Sequence, residues 1–477
     1  QGEVRAEGGE VLTRFEIEPA SILDEARAGG RNALIIGRKL TRRARERCQA
    51  AGIEVGPSKV PLTAPPKHAQ GQAYSLAQKL VGQAAGLPGA LPGDYVEPKA
   101  SIVFSQDTTG KMTQQEVLEL ATLRFAAPTI QSFCHTAAGP RSKDARMQAD
   151  LGSFIAEMGG IDLRPGDGVI HTNGNRFLLP YFVGTGGDSH TRFPIGLSFP
   201  AGSDLVAFAA SQGYFPLDMP ESVLVRFKGT VQPGITVRDL VNSIPYAAIQ
   251  QGKLNLGKGD AKVNVFADRV LEMEGLERLT VEEAYKVTDT SAERSAAGAT
   301  FHHDPNQVIA YVENQLRFLK NNFGERHEAK VVKTLIESME AWLKKPTFID
   351  RDDEPTYADI VEVDLDTIRE PLLAAPNDPD KIVTLSEVAG TPIDEVFVGS
   401  CMADITDFRA VAAIVQGQRV KHRMKFWTVP PDRESNVALT REGVHGILLE
   451  AGANVHVPGC SLCMGNQGQV ATGATVL

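Results

Sequence analysis

From Glu395 onward the chain alternates between short apolar strands and helix-periodic segments, and this alternation restricts the fold more than any other feature. Glu395 to Val398 reads as a strand, and Gly399-Ser400-Cys401 turns the chain. Ile405, Phe408, Ala412 and Val415 then recur at helical spacing, with Gly417 as a natural stop. Lys425 to Val429 is a second strand, ended by Pro430-Pro431. Another helix runs to about Glu450, with Gly452 after it. Asn454 to Val457 is a third strand, and Gly459-Cys460 turns the chain again. Strand, helix, strand, helix, strand predicts a parallel sheet with right-handed crossovers. Such sheets bind ligands beyond the carboxyl ends of their strands. Cys401 and Cys460 both fall there, and Cys463 follows three residues later.

Three of the five cysteines thus converge on one rim, which is not the default for buried apolar cysteines. Four readings are open. The thiols are unligated and structural. Cys460-Ser461-Leu462-Cys463 is a redox dithiol, which leaves Cys401 without a role. Zinc is bound with His456 as fourth ligand, although His456 lies within the third strand. An iron–sulfur cluster is held by three thiolates, leaving one iron open to bind substrate as a Lewis acid.

Composition narrows the class. Of 477 residues, 42% are hydrophobic and 23% charged, as in ordinary globular chains, and the length suits two to four domains. The formal net charge of -10 gives no broad electrostatic reason to bind nucleic acid or anionic membrane. No apolar run approaches the ~18 residues a bilayer span needs. Sparse, odd-numbered cysteines argue against a disulfide framework and for a reducing, cytoplasmic setting. The chain begins at Gln1 and ends in Ala474-Thr475-Val476-Leu477, a strand cut short, so a piece of a longer protein is expected.

Residues 1 to 37 carry two strand-like stretches, the second ending in Ala33-Leu34-Ile35-Ile36-Gly37. A basic run from Arg38 to Arg47 follows, read as a solvated helix face or a contact for nucleic acid. Residues 57 to 98, rich in Pro, Gly and Ala, look like a connector around a helix from Ser75 to Ala85. Thr113 and Glu116 fit a capping box, as do Thr280 and Glu283. Val223, Val225 and Phe227 alternate as a strand. The polar candidates each have a plain structural explanation when taken alone. Gln106-Asp107-Thr108-Thr109-Gly110 is a turn after the strand Ser101 to Phe104. His135 and His171 are core histidines. Gly184 to Arg192, with Asp188, Ser189 and His190, is a loop with local hydrogen bonds. Glu293 is a helix-surface carboxylate. The pair His302-His303 reads as solvent-like and is given no role.

Together, however, these segments resemble the aconitase family, and within it the bacterial B type. The likeness is carried by Ser105 to Gly110, Gln131-Ser132-Phe133-Cys134-His135-Thr136-Ala137-Ala138, Arg164 to His171, Gly184 to Arg192, Ser291 to Gly298, Gly399-Ser400-Cys401 and Pro458 to Gln467. It covers nearly the whole chain in order. The resemblance implies an α/β fold of three doubly wound α/β domains around a central cluster cleft. These would span 99–220, 221–355 and 356–477 (truncated), preceded by the tail of a swivelling domain at 1–37 and a linker at 38–98. It implies a [4Fe-4S] cluster on Cys401, Cys460 and Cys463, and dehydration–rehydration of citrate to isocitrate through cis-aconitate. His135 would protonate the leaving hydroxyl, His171 would pair with Asp188, and His190 with Glu293. Gln106, Asp107, Thr108 and Ser189 would contact the tricarboxylate substrate. The family also includes dehydratases of 2-methylisocitrate, homocitrate or isopropylmalate, and members that bind mRNA when the cluster is lost. Cys134 stands where the family usually has Asp, and Met402-Ala403 where it usually has Thr-Asn. The family's Ser-Ser-Arg catalytic-base loop and its substrate-binding arginine pair have no match here, so this chain alone is expected to hold a cluster site without being a competent enzyme.

Overall fold

Parallel strands must be hydrogen-bonded to neighbours and joined by crossovers, usually helices, and among the described residues three all-parallel sheets organise the larger unit of this protein. The computed structural model describes residues 2–15, 21–57, 65–255, 263–323, 329–376, 378–399, 401–421, 423–460, 465 and 469–477. The chain divides into two units, Gln1–Ala69 and Gln70–Leu477.

In the first unit, Gly2–Arg5 and Val11–Phe15 pair as an antiparallel hairpin, followed by helices Ser21–Ala28 and Arg31–Ala50. The strand expected at Ala33 to Gly37 is therefore helical. A short apolar run suits a buried helix segment as well as a strand. Here Leu34 and Ile35 are buried within a helix that the flanking Lys and Arg residues favour. Arg38 of the basic run is buried 3.5 Å from Asp24, whereas Arg43 and Arg47 are exposed.

In the second unit the first sheet comprises β1 (Ile102–Gln106), β2 (Thr129–Ser132), β3 (Ile161–Asp162), β4 (Val183–Gly186) and β5 (Leu197–Pro200). Their order is β3-β2-β1-β4-β5, all parallel. The winding reverses between β1 and β4, where loops diverge to opposite faces and leave a crevice. The second sheet comprises β6 (Ser222–Lys228), β7 (Val270–Glu274), β8 (Gly298–Phe301) and β9 (Asp359–Asp364), ordered β8-β7-β6-β9 and also parallel. The third comprises β10 (Glu395–Val398), β11 (Lys425–Thr428) and β12 (Asn454–Val455), parallel in that order. Val476 bridges in parallel to Glu395, so the C-terminal residues lie on the far side of β10.

From Gln70 onward, the segment read as a connector contributes to this unit's core. Leu76, Ala77, Leu80 and Val81 of the helix Leu76–Ala84 are buried against β1, β4 and β5 residues. Its capping box, Ser75 with Gln78, is present, and buried Glu272 accepts from Ser75 Oγ at 2.5 Å and Leu76 N at 3.0 Å, where the helix dipole favours an anion. The Thr280–Glu283 box is formed. The box expected at Thr113 and Glu116 is not. The helix begins directly off β1 at Gly110, so Thr113 lies in its first turn, bonding Thr109 O, and Glu116 accepts instead from Ser203.

Two close approaches join the first sheet to the third. Gly168 has φ +125°, and a β-carbon there would stand 2.5 Å from Pro431 O; Val169 N and Arg433 N complete the contact by donating to Pro431 O and Asp167 O. A β-carbon on Gly459 would stand 2.7 Å from Cys134 O, which accepts from Cys460 N at 3.0 Å.

Candidate active site

The crevice between β1 and β4 is where the polar candidates meet. Register explains why. Gln106 pairs with Ser132 and Phe104 with Gly186, so the residues following β1, β2 and β4 emerge side by side. Gln106 ties two of these loops together: its Oε1 accepts from Thr108 N and Oγ1 at 2.7 and 2.6 Å, and its Nε2 donates to Gly187 O at 3.1 Å.

Asp107 is fully buried and faces His135 rather than open space. Its Oδ1 accepts from His135 Nδ1 at 2.9 Å, and its Oδ2 from Thr136 N and Oγ1, both at 2.7 Å. The carboxylate expected to contact substrate is thus occupied within the protein, and it supplies the orienting acid that Cys134 cannot. Fixing Nδ1 leaves Nε2 as the ring atom directed into the crevice.

Asp188 sits among three imidazoles. His135 Nε2 lies 3.6 Å away, His171 Nε2 3.5 Å and His190 Nδ1 3.7 Å, and His190 N donates to Asp188 at 2.9 Å. His171, on the short helix Ile170–Gly174, is buried, and neither ring nitrogen makes a hydrogen bond. His190 Nε2 meets Glu293 Oε1 at 3.0 Å, so both expected histidine–carboxylate pairs are brought together. Glu293 lies on a 3-10 turn and, like Ser189 and Thr108, is exposed at the rim.

The electrostatics follow from these contacts. Burial alone would raise the Asp188 pKa, but the charge of His171 and the hydrogen bonds from His190 outweigh it and hold the carboxyl well below its usual range. Burial opposes charge on His190, yet Asp188 and Glu293 push its pKa up to about 11. His135 is likewise raised to about 11, burial being outweighed by the neighbouring Cys134 sulfur and by Asp107.

The thiols lie alongside. Cys401 follows β10 and packs against the apolar cluster that contains Cys134 and Cys460. Its Sγ donates to Asp289 Oδ2 at 3.0 Å, and Tyr285 OH donates to Asp289 Oδ1 at 3.1 Å. Lys286 bridges Asp404 and Asp407 at 2.6 and 3.1 Å, pinning the loop after Cys401 to the helix Val281–Asp289. Among the described residues, two groups have ligand atoms all within 4.8 Å of one another: Cys134, His135 and Cys460, and His190, Asp289 and Cys401. Cys463 lies outside the described residues. His456 follows β12 and packs on Trp427 with ring centroids 5.1 Å apart, outside both groups. Sequence reasoning missed Asp289 and the place of Cys134 beside Cys460. Asp289 ends an amphipathic helix and looks like any cap, whereas Cys134 was visible only as a departure.

The reading of His302-His303 as solvent-like is overturned. His302 is buried and the ring nitrogens of half-buried His303 are shielded beyond β8, beside a 320 Å³ cavity also lined by Phe301, Ile349 and Pro305. His302 Nδ1 bonds Asp350 at 3.0 Å, and burial pushes the His303 pKa down to about 3.

The sequence model described as "Aconitase family (aconitate hydratase)" matches residues 100–392 and 386–477, and that for the "Aconitate hydratase 2 N-terminus" matches 1–71. Aconitate hydratase B of Synechocystis sp. is 51% identical over 100% of this chain and 54% of its own length. Aconitate hydratase B of Escherichia coli is 51% identical over 100% of this chain and 55% of its own. 3-isopropylmalate dehydratase large subunit 2 of Archaeoglobus fulgidus is 26% identical over 84% and 88%. Among solved structures, holo-form aconitase X of Thermococcus kodakaraensis matches 76% of this chain and 79% of its own at 13% identity, with a TM-score of 0.43. The chain spans about half the length of the aconitate hydratases it matches. It belongs to the aconitase family.

Proposed function

We propose that this chain is the cluster-holding core of a hydro-lyase that interconverts citrate and isocitrate through cis-aconitate. The observation that carries the reading is Asp188 held among His135, His171 and His190 at the switch point of the first sheet, beside Cys401 and Cys460. The twofold difference in identity between the aconitate hydratases and the isopropylmalate dehydratase supports a tricarboxylate substrate.

A [4Fe-4S] cluster fits the donor set. Cys401 and Cys460, the two described members of that set, share one apolar wall, where soft ligands suit iron–sulfur chemistry. Cys401, Cys460 and Cys463 would hold it. Bound there, it would supply a Lewis acid that polarises the substrate hydroxyl. The chain's own residues do the rest. Asp107 fixes His135 at Nδ1, and Nε2 passes a proton to the departing hydroxide and recovers it on rehydration. Asp188 and Glu293 keep His190 charged and in place, and Ser189 offers an exposed hydroxyl to a substrate carboxylate. The base that removes the carbon-bound proton, and the arginines that clamp the distal carboxylates, come from segments of the whole protein outside this chain. A 2-methyl substrate differs only beside the reacting carbons and would use the same groups.

Iron and sulfide counts with an anaerobic absorption spectrum test the cofactor. Turnover of citrate, cis-aconitate and 2-methylisocitrate, by the whole protein and by this chain, tests the division of labour. The chain alone should bind iron and sulfide without turnover. Turnover equal to that of the whole protein would refute the assignment of the base.

A further inference from the structure

The carboxyl end of β2 carries a thiol that the proposed reaction does not use. Cys134 is buried, and so is Cys460. The two are locked together by their backbones: Cys460 N donates to Cys134 O at 3.0 Å, and Gly459 admits that carbonyl because it has no side chain to collide with it. Residues joined by such a bond keep their α-carbons at separations that disulfides span. Their sulfur atoms fall within the same 4.8 Å group. The contact is set by the meeting of the first and third sheets, not by a mobile surface loop.

We propose that Cys134 is a resolving thiol for Cys460, closing a Cys134–Cys460 disulfide when the metal group is lost under peroxide stress. This rests on the reading of Cys460 as a cluster ligand. Released from metal, the Cys460 thiol attacks hydrogen peroxide. An S–O bond forms as the O–O bond breaks, giving a sulfenic acid and water. The Cys134 sulfur then attacks Cys460 Sγ; the S–S bond forms, the S–O bond breaks, and hydroxide leaves as water with the Cys134 thiol proton. Two thiols lose two electrons, and the peroxide accepts them. The ligand is thereby parked at a level that a cellular dithiol reverses, short of the irreversible sulfinic acid. The same bond ties the β2 loop to the loop after β12, keeping the empty site assembled for refilling.

The test uses the full-length protein, stripped with an iron chelator, exposed to hydrogen peroxide, alkylated and mapped by mass spectrometry without reduction. Wild type should yield a Cys134–Cys460 cross-linked peptide, and dithiothreitol followed by iron and sulfide should restore the cluster absorbance. In Cys134→Ser, Cys460 should accumulate as sulfinic or sulfonic acid, and recovered absorbance should fall about tenfold. Should that variant misfold, the wild-type map alone decides. Cys134 found freely alkylated while Cys460 is linked to Cys463, or Cys460 overoxidised equally in both proteins, would overturn the proposal. Failure of the cluster assignment reads out separately, as absent iron and sulfide before any peroxide is added.

Discussion

Histidines lie beyond the carboxyl ends of parallel strands in two sheets here, and His303 at one is shifted opposite to His135 and His190 at the other. At the first sheet, His135 and His190 each have a carboxylate oxygen within about 3 Å, and both are pushed toward the charged form, to about 11. At the second sheet, His303 follows β8 into an enclosed wall without such a partner, and burial pushes it to about 3. Burial is present at both sites. What separates these imidazoles is an aimed anion, the Cys134 sulfur together with a carboxylate at His135 and carboxylates at His190, which in a low dielectric outweighs desolvation.

The comparison is broken most severely at Asp188. Asp188→Asn leaves three neighbouring imidazoles without their shared anion, and turnover of the whole protein should fall about a thousandfold, within the usual range for lost acid–base function. Steady-state kinetics with cis-aconitate measure this. Asp107→Asn keeps the acceptors for Thr136 but removes the charge behind His135, and about a hundredfold loss in kcat is expected, with KM little changed. Glu293→Gln is milder because Glu293 is half-exposed and Asp188 still serves His190. About tenfold is expected, growing toward alkaline pH as the His190 titration moves down from about 11.

His303→Gln should leave turnover at neutral pH nearly unchanged and sharpen the contrast through stability. A histidine held down at about 3 against 6.5 binds its proton more readily when unfolded. Its contribution is therefore complete above pH 6.5 and is lost as pH falls toward 3, by on the order of a few kcal/mol. Urea unfolding between pH 7 and 4 should show a flatter acid limb in the variant. An unaltered slope would mean that His303 is not the group responsible.

Much of the third sheet was legible because its signals are local. Alternation gave β10 its bounds, and glycine and proline punctuation set its turns. The resemblance assembled the histidine–carboxylate pairs from separate motifs. The partnership of Asp107 with His135 was not legible, since it depends on the register of β1 against β2, which no local pattern records. Nor was Asp289 beneath Cys401, a helix-terminal residue until the third sheet is placed against it. Ala33 to Gly37 was misread because five apolar residues carry no period, and His302-His303 because enclosure beyond β8 is a property of packing.

The approach of Cys134 to Cys460 also bears on how the protein is made. On the ribosome, at ~5–20 residues per second, Cys134 emerges on the order of tens of seconds before Cys460 has been translated. During that interval Cys134 lacks the sulfur that it meets in the fold. A metal group held by Cys460, as proposed, would be loaded only after synthesis has passed that residue, so delivery would follow translation of this core instead of running alongside it.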